Sequence, residues 1–89
     1  MHLVKYHMPN CAPCAELERN LNSLDLGSIT LECLDVFQQD RLTIQNLRVK
    51  GAPTMILYAD ATKQVEIKRF TGSLSRNNLA IWLGLEEPD

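Results

Sequence analysis

At 89 residues and 45% hydrophobic content, the chain is long enough for one domain with its own core and too short for two. Nine basic residues against eleven acidic ones leave a formal net charge of −2, which attracts neither nucleic acid nor an anionic membrane surface. No apolar run approaches the roughly 20 residues that a membrane helix needs, and the opening MHLVKYHM lacks the basic region, apolar core and cleavage site of a secretory signal. A cytoplasmic location, with no membrane and no nucleic-acid partner, is the expectation.

Along the chain, Leu3 to His7 carries the β-favouring Val4 and Tyr6 and is bounded by Pro9 and Asn10, which predicts a first strand. Ala15, Leu17, Leu21 and Leu24 then recur at helical spacing opposite Glu16, Glu18, Arg19 and Asn22. That predicts a helix from Cys11 to Leu24, with Gly27 placed to stop it. Ile29 to Val36 reads as a second strand, apolar on both alternating sets and so covered on both faces. Asp40 is placed to cap a short helix holding Leu42, Ile44 and Leu47. Met55 to Tyr58 and Gln64 to Phe70 flank the turn ADATK as a hairpin, the latter strand alternating Val65, Ile67 and Arg69 with charged neighbours. Ser75 precedes a last helix with an apolar face of Leu79, Trp82 and Leu83, ended by Gly84.

The predicted order is β-α-β-α-β-β-α. A helical crossover between the first two strands implies a parallel, right-handed unit, and the hairpin adds an antiparallel edge. The expected fold is therefore α/β: one domain over residues 1–85, a four-stranded mixed sheet with helices on both faces, and an acidic tail over 86–89 that frays into solvent.

Three cysteines cannot make a closed set of intramolecular disulfides, and the odd count points to catalytic, metal-binding or buried thiols rather than a disulfide scaffold. Cys33, within ITLECLDV, is expected to be buried and inert. Cys11 and Cys14 form a CxxC after a strand and at a helix start. A helix N-terminus offers unpaired N–H groups and partial positive charge, both of which favour a thiolate. Thiols so placed fall from a pKa near 8.5 to roughly 3.5–7.5. Pro13 fits the first turn, where a missing N–H costs little. Cys11, beside Asn10, is the expected attacking thiolate; Cys14, one turn further in, is the expected resolving thiol. Zinc sites share this spacing, so a zinc or iron–sulfur module drawing on His7 or Cys33 stands as an alternative, as does a binding module in which the CxxC is incidental. His2 and His7 are otherwise strand and loop residues.

Far along the chain, Ala52-Pro53-Thr54 introduces a third strand. Proline cannot donate to a sheet ladder. A cis peptide that frees neighbouring backbone for an extended substrate and a simple strand-initiating proline after Gly51 are both compatible with the local sequence.

Taken together, the strand, CAPC, the helix, VKGAPTMILY, the hairpin and FTGSLS before a final helix resemble the thioredoxin family across nearly the whole chain. The strand and helix that open full-length thioredoxins have no counterpart, so the chain is glutaredoxin-sized. The resemblance implies a thioredoxin-like fold and a disulfide reductase, with Cys11 as nucleophile, Cys14 as resolving cysteine and Pro53 as a cis-proline beside them. It further implies that Ala52, Pro53 and Thr54 bind substrate and that Gly72 keeps the substrate groove open. No bound cofactor is implied beyond the Cys11–Cys14 disulfide. Partners would be protein disulfides, ribonucleotide reductase among them, with an NADPH-dependent thioredoxin reductase or glutathione as reductant, and a monomeric state.

The departures are specific. Asn10 and Ala12 stand where thioredoxins usually carry tryptophan and glycine. Lys5 stands six positions before the nucleophile, where the family carries a buried acidic residue. Lys5, Asn10 and Pro13 are therefore candidate modulators of the pair: an inward Lys5 would favour a thiolate, while a lysine snorkelling from the strand would not. GAPT and FTGSLSRNN also differ from the glutathione-binding marks of glutaredoxins, so a glutathione-dependent reductase is the alternative rather than the first reading.

Overall fold

The computed structural model describes residues 1–87. Its elements are β1 (His2–His7), α1 (Ala12–Asn22), β2 (Thr30–Asp35), a single 3-10 turn (Val36–Gln38), α2 (Arg41–Leu47), β3 (Thr54–Tyr58), β4 (Glu66–Thr71) and α3 (Arg76–Trp82). The four strands form one sheet in the order β2-β1-β3-β4. β1 runs parallel to β2 and antiparallel to β3, and β3 pairs antiparallel with β4. The predicted element order and mixed sheet are those observed.

The two central strands are the apolar ones, because each is paired on both edges and covered on both faces. Their pleat sorts side chains between two cores. Leu3, Met55 and Leu57 pack with Leu17 and Leu21 of α1 and Leu79 of α3. Val4, Tyr6, Ile56 and Tyr58 pack on the other face, against Ile44 and Leu47 of α2. Burial raises the pKa of Tyr6, and the neighbouring Tyr58 adds to the effect.

Each helix begins on a side-chain cap. Asp40 accepts from the Thr43 N–H at 3.1 Å, and Ser75 accepts from the Asn78 N–H at 3.2 Å. α1 ends at Ser23, earlier than its apolar spacing suggests. Gly27 is not its stop signal but a positive-φ residue in the following turn, where its N–H donates to the Asp25 carboxylate at 2.9 Å.

Two expectations about β2 need correction. β2 is largely exposed rather than covered on both faces, and among the described strands it lies at the edge of the sheet, paired only with β1. Cys33 is consequently exposed, not buried. On the opposite edge, Val65, just before β4, and Ile67 are also largely exposed, and Phe70 is the contribution of β4 to the core.

Of the acidic end, Glu86 and Glu87 are exposed, and the Glu86 N–H donates to the Ala80 carbonyl at 3.3 Å. The remainder of that tail lies outside the described residues. At the pole of the sheet where β1 begins, His2 donates or accepts at Thr30 (2.6 Å) and meets Glu32 at 2.9 Å, while Lys63 pairs with Glu32 at 2.7 Å. Hydrogen bonds from Lys63 and then His2 hold the Glu32 carboxyl below its usual range. This network lies at the opposite end of β1 from the cysteines.

Candidate functional site

The end of β1 delivers the chain into the CxxC through a tight reversal. Asn10 carries it with φ of 57°, a left-handed conformation that asparagine tolerates better than most residues. Cys11 is then the N-cap of α1, extended at φ −116°, and its Sγ accepts from the Cys14 N–H at 3.2 Å. This is the capping geometry usually supplied by a serine or aspartate oxygen, here performed by sulfur. Pro13 lies in the first turn, where its absent N–H leaves no gap in the helix ladder.

Cys11 and Cys14 form a disulfide across a Cα separation of 5.2 Å. Their environments differ. Cys11 is half-exposed, whereas Cys14 is 4% exposed and shares the buried stripe of α1 with Leu17 and Leu21. An accessible sulfur at the helix terminus, backed by a buried partner, suits one for attack from outside and the other for attack from within.

The Ala52–Pro53–Thr54 segment lies beside the pair. Cys11 Sγ is 3.9 Å from the Ala52 carbonyl oxygen. The Ala52–Pro53 peptide bond is cis, and Pro53 is fully buried. Its carbonyl accepts from the Gly72 N–H at 2.7 Å, with Gly72 at φ of +113°, a conformation favouring glycine. The Thr54 hydroxyl, itself buried, donates to the Gly51 carbonyl at 2.6 Å and lies 3.2 Å from the Thr71 hydroxyl. Thr54 thus fixes the loop that presents Ala52 more than it offers a surface of its own.

One cleft is lined by both cysteines, and a second opens beside the Ala52 loop. The first, of about 470 Å³, is lined by Lys5, His7, Met8, Asn10, Cys11, Cys14 and Glu18, among others. The other, of about 250 Å³, lies between Met8, Val36, Phe37, Val49 and the Lys50–Ala52 backbone. Lys5 is 2% exposed, so it points inward and is not a snorkelling surface lysine. Sequence reading missed Met8 and Phe37. Phe37 is 72% exposed, and an aromatic side chain standing in a polar turn, DVFQQD, was the available signal.

Among the described residues, no group of three or more His, Cys, Asp or Glu is placed to hold a metal ion. Cys33 and His7 do not join Cys11 and Cys14 in such a cluster. Nor is any described helix long and apolar enough to cross a membrane.

A mixed four-stranded sheet, a CxxC disulfide capping the helix after its central parallel strand, and a proline loop against those sulfurs together define a thiol–disulfide exchange domain. Comparison with known proteins agrees. The thioredoxin family model matches residues 1–84, and the chain belongs to the thioredoxin family. It is 34% identical over 65 residues to the SPbeta prophage-derived thioredoxin-like protein YosR of Bacillus subtilis, covering 73% of this chain and 76% of that one. Among solved structures, Trxlp from Edwardsiella tarda superposes with a TM-score of 0.76 at 24% identity, over 92% of this chain and 80% of the other. Fasciola hepatica thioredoxin superposes with a TM-score of 0.77 at 19% identity, over 97% and 80%. At these identities the structural likenesses speak to the fold. The family and the paired cysteines support thiol–disulfide oxidoreductase activity and protein disulfides as the class of substrate.

Proposed function

We propose that the protein is a thioredoxin-type reductase of protein disulfides in the cytoplasm, working as a monomer with no bound cofactor beyond the Cys11–Cys14 disulfide. The observation that carries this reading is the asymmetry of the pair: a half-exposed Cys11 at the helix terminus and a buried Cys14 beneath it.

In the reduced protein, the Cys11 thiolate attacks one sulfur of the substrate disulfide. The first substrate thiolate leaves and takes a proton from water. Cys14 then loses its proton and attacks Cys11 Sγ, which releases the second substrate sulfur and closes the Cys11–Cys14 disulfide. Two electrons pass from the dithiol to the substrate. Ala52, whose carbonyl lies beside Cys11 Sγ, lends its backbone to an extended substrate strand. Pro53 shapes that edge, Thr54 and Gly72 hold it, and the Met8–Phe37 surface accepts apolar flanking residues. An NADPH-dependent reductase of the thioredoxin system restores the dithiol and completes an electron-transport chain to acceptors such as ribonucleotide reductase.

A turbidity assay on insulin tests this. With dithiothreitol as donor, the protein should accelerate reduction of the insulin interchain disulfides well beyond the donor alone. With glutathione as the donor and a small glutathione mixed disulfide as substrate, turnover should be slight. Brisk glutathione-dependent turnover with no action on insulin would transfer the protein to the glutaredoxin type.

A further inference from the structure

The cleft beside the disulfide has a wall that the exchange steps above leave unused. Lys5 and His7 alternate along β1 with Leu3, so the pleat puts them on the face that α1 covers. Cys14, Leu17 and Leu21 form the buried stripe of that helix. Lys5 and Cys14 therefore meet the same sheet–helix interface, and both line the 470 Å³ cleft.

Lys5 is almost wholly removed from solvent. It takes part in none of the ion pairs among the described residues. Beside it, His7 Nδ1 is buried without a hydrogen-bond partner. A cation with no counter-ion and only the cleft through which to reach water is poorly compensated. The disulfide offers it two neutral sulfurs. Reduction changes that, because the exchange reaction must place a thiolate on Cys14 before it can attack Cys11.

We propose that Lys5 is the counter-ion of the reduced site, its ammonium unpaired while the disulfide is closed and paired with the Cys14 thiolate during resolution. The proposal rests on the dithiol reading above and adds to it the group that manages the buried cysteine. Cys14 gives its proton to water through the cleft, and Lys5 contributes charge alone, with no proton passing through it. The expelled substrate sulfur then draws a proton from solvent, so charge and protons balance without any further reactant.

The other titratable groups around Lys5 come from three elements. His7 follows it on β1, and Glu18 of α1 lines the same cleft. Cys33 and Asp35 of β2 sit in register with Lys5 and His7. The Asp35 carboxylate is occupied as an acceptor from the Phe37 N–H at 2.8 Å. From β3, the register partner of Lys5 is the apolar Met55.

The sign follows from the state that Lys5 favours. A cation beside a thiolate stabilises the dithiol form, so removing it should shift the couple towards the disulfide. Wild type, Lys5→Met and Lys5→Arg would be equilibrated in glutathione buffers, and the reduced proteins titrated by thiolate absorbance near 240 nm. Lys5→Met should shift the couple about tenfold towards disulfide, equivalent to about 30 mV more negative, and should move the thiolate titration to higher pH. Lys5→Arg should restore both. Lys5→Gln serves as the neutral variant should methionine prevent folding. Unchanged titration and potential in the neutral variant would leave Lys5 a packing group only and overturn the proposal. If the wild type itself showed no Cys11–Cys14 couple, the dithiol reading would fail first, which is a distinguishable result.

Discussion

Cys11→Ser should abolish reduction of protein disulfides, while Cys14→Ser should stop the reaction halfway. Serine retains the capping geometry, since its oxygen can accept from the residue 14 N–H as Cys11 Sγ does now. The fold and α1 should therefore survive, and the loss can be read as chemistry. A hydroxyl at neutral pH is neither ionised nor able to form a sulfur–sulfur bond, so turnover should drop by on the order of 10³-fold or more. Cys14→Ser keeps the accessible sulfur and removes the buried one that expels product. It should accumulate a stable mixed disulfide between Cys11 and the substrate, visible as a covalent adduct on a non-reducing gel. Adducts through residue 14 in a Cys11→Ser protein, formed as readily, would reverse the assignment of the two sulfurs.

The largest effect on stability is expected from Leu17→Ala. Leu17 is fully buried, at 0% exposure, in the cluster that joins α1 to β1, β3 and α3. Its truncation removes transfer energy and leaves a cavity that rigid neighbours on three elements cannot close, for a cost of about 3–4 kcal/mol. A domain of this size has about 5–15 kcal/mol in all, so the variant should sit near the threshold of folding. Urea titration of the oxidised protein measures this directly. With a slope of roughly 1–2 kcal/mol per molar, the midpoint should fall by about 2 M. Leu42→Ala, at an exposed position of α2, should stay within about 0.5 kcal/mol. Equal losses at both positions would contradict the placement of the core. Leu17 is also one turn beyond Cys14, so loosening it should slow resolution by Cys14 as well.

Much of this was written locally in the chain. The β-favouring Val4 and Tyr6 bounded by Pro9 and Asn10, the helical spacing of Leu17 and Leu21, and the capping residues Asp40 and Ser75 specify their elements with little help from the rest of the fold. The cysteines' unequal exposure likewise followed from their order along a helix. What was not legible depended on neighbours. Cys33 lies in a stretch whose composition suits a buried strand, but among the described strands β2 lies at the edge of the sheet, paired only with β1. Lys5 carried the opposite ambiguity. A lysine in a strand reads as solvent-facing until α1 is placed over the face it shares with Leu3. Pro53 gave no local preference between two conformations; the family resemblance, not the segment itself, pointed to the cis bond that is present. Gly27 looked like a helix stop because the apolar spacing continues through Leu24, whereas the helix closes at Ser23. For Cys33 and Lys5, the placement of neighbouring elements overrode the composition of the segment.

The measurement that bears most directly on the central claim is the Cys11–Cys14 redox equilibrium. The purified protein would be brought to equilibrium in graded glutathione buffers, its thiols alkylated, and the products counted by mass spectrometry. A reversible two-electron couple confined to Cys11 and Cys14, between roughly −270 and −200 mV, is the expected result for a reductase of this kind. Failure to form that disulfide at any buffer ratio, or a value near −120 mV typical of a strong oxidant, would contradict it.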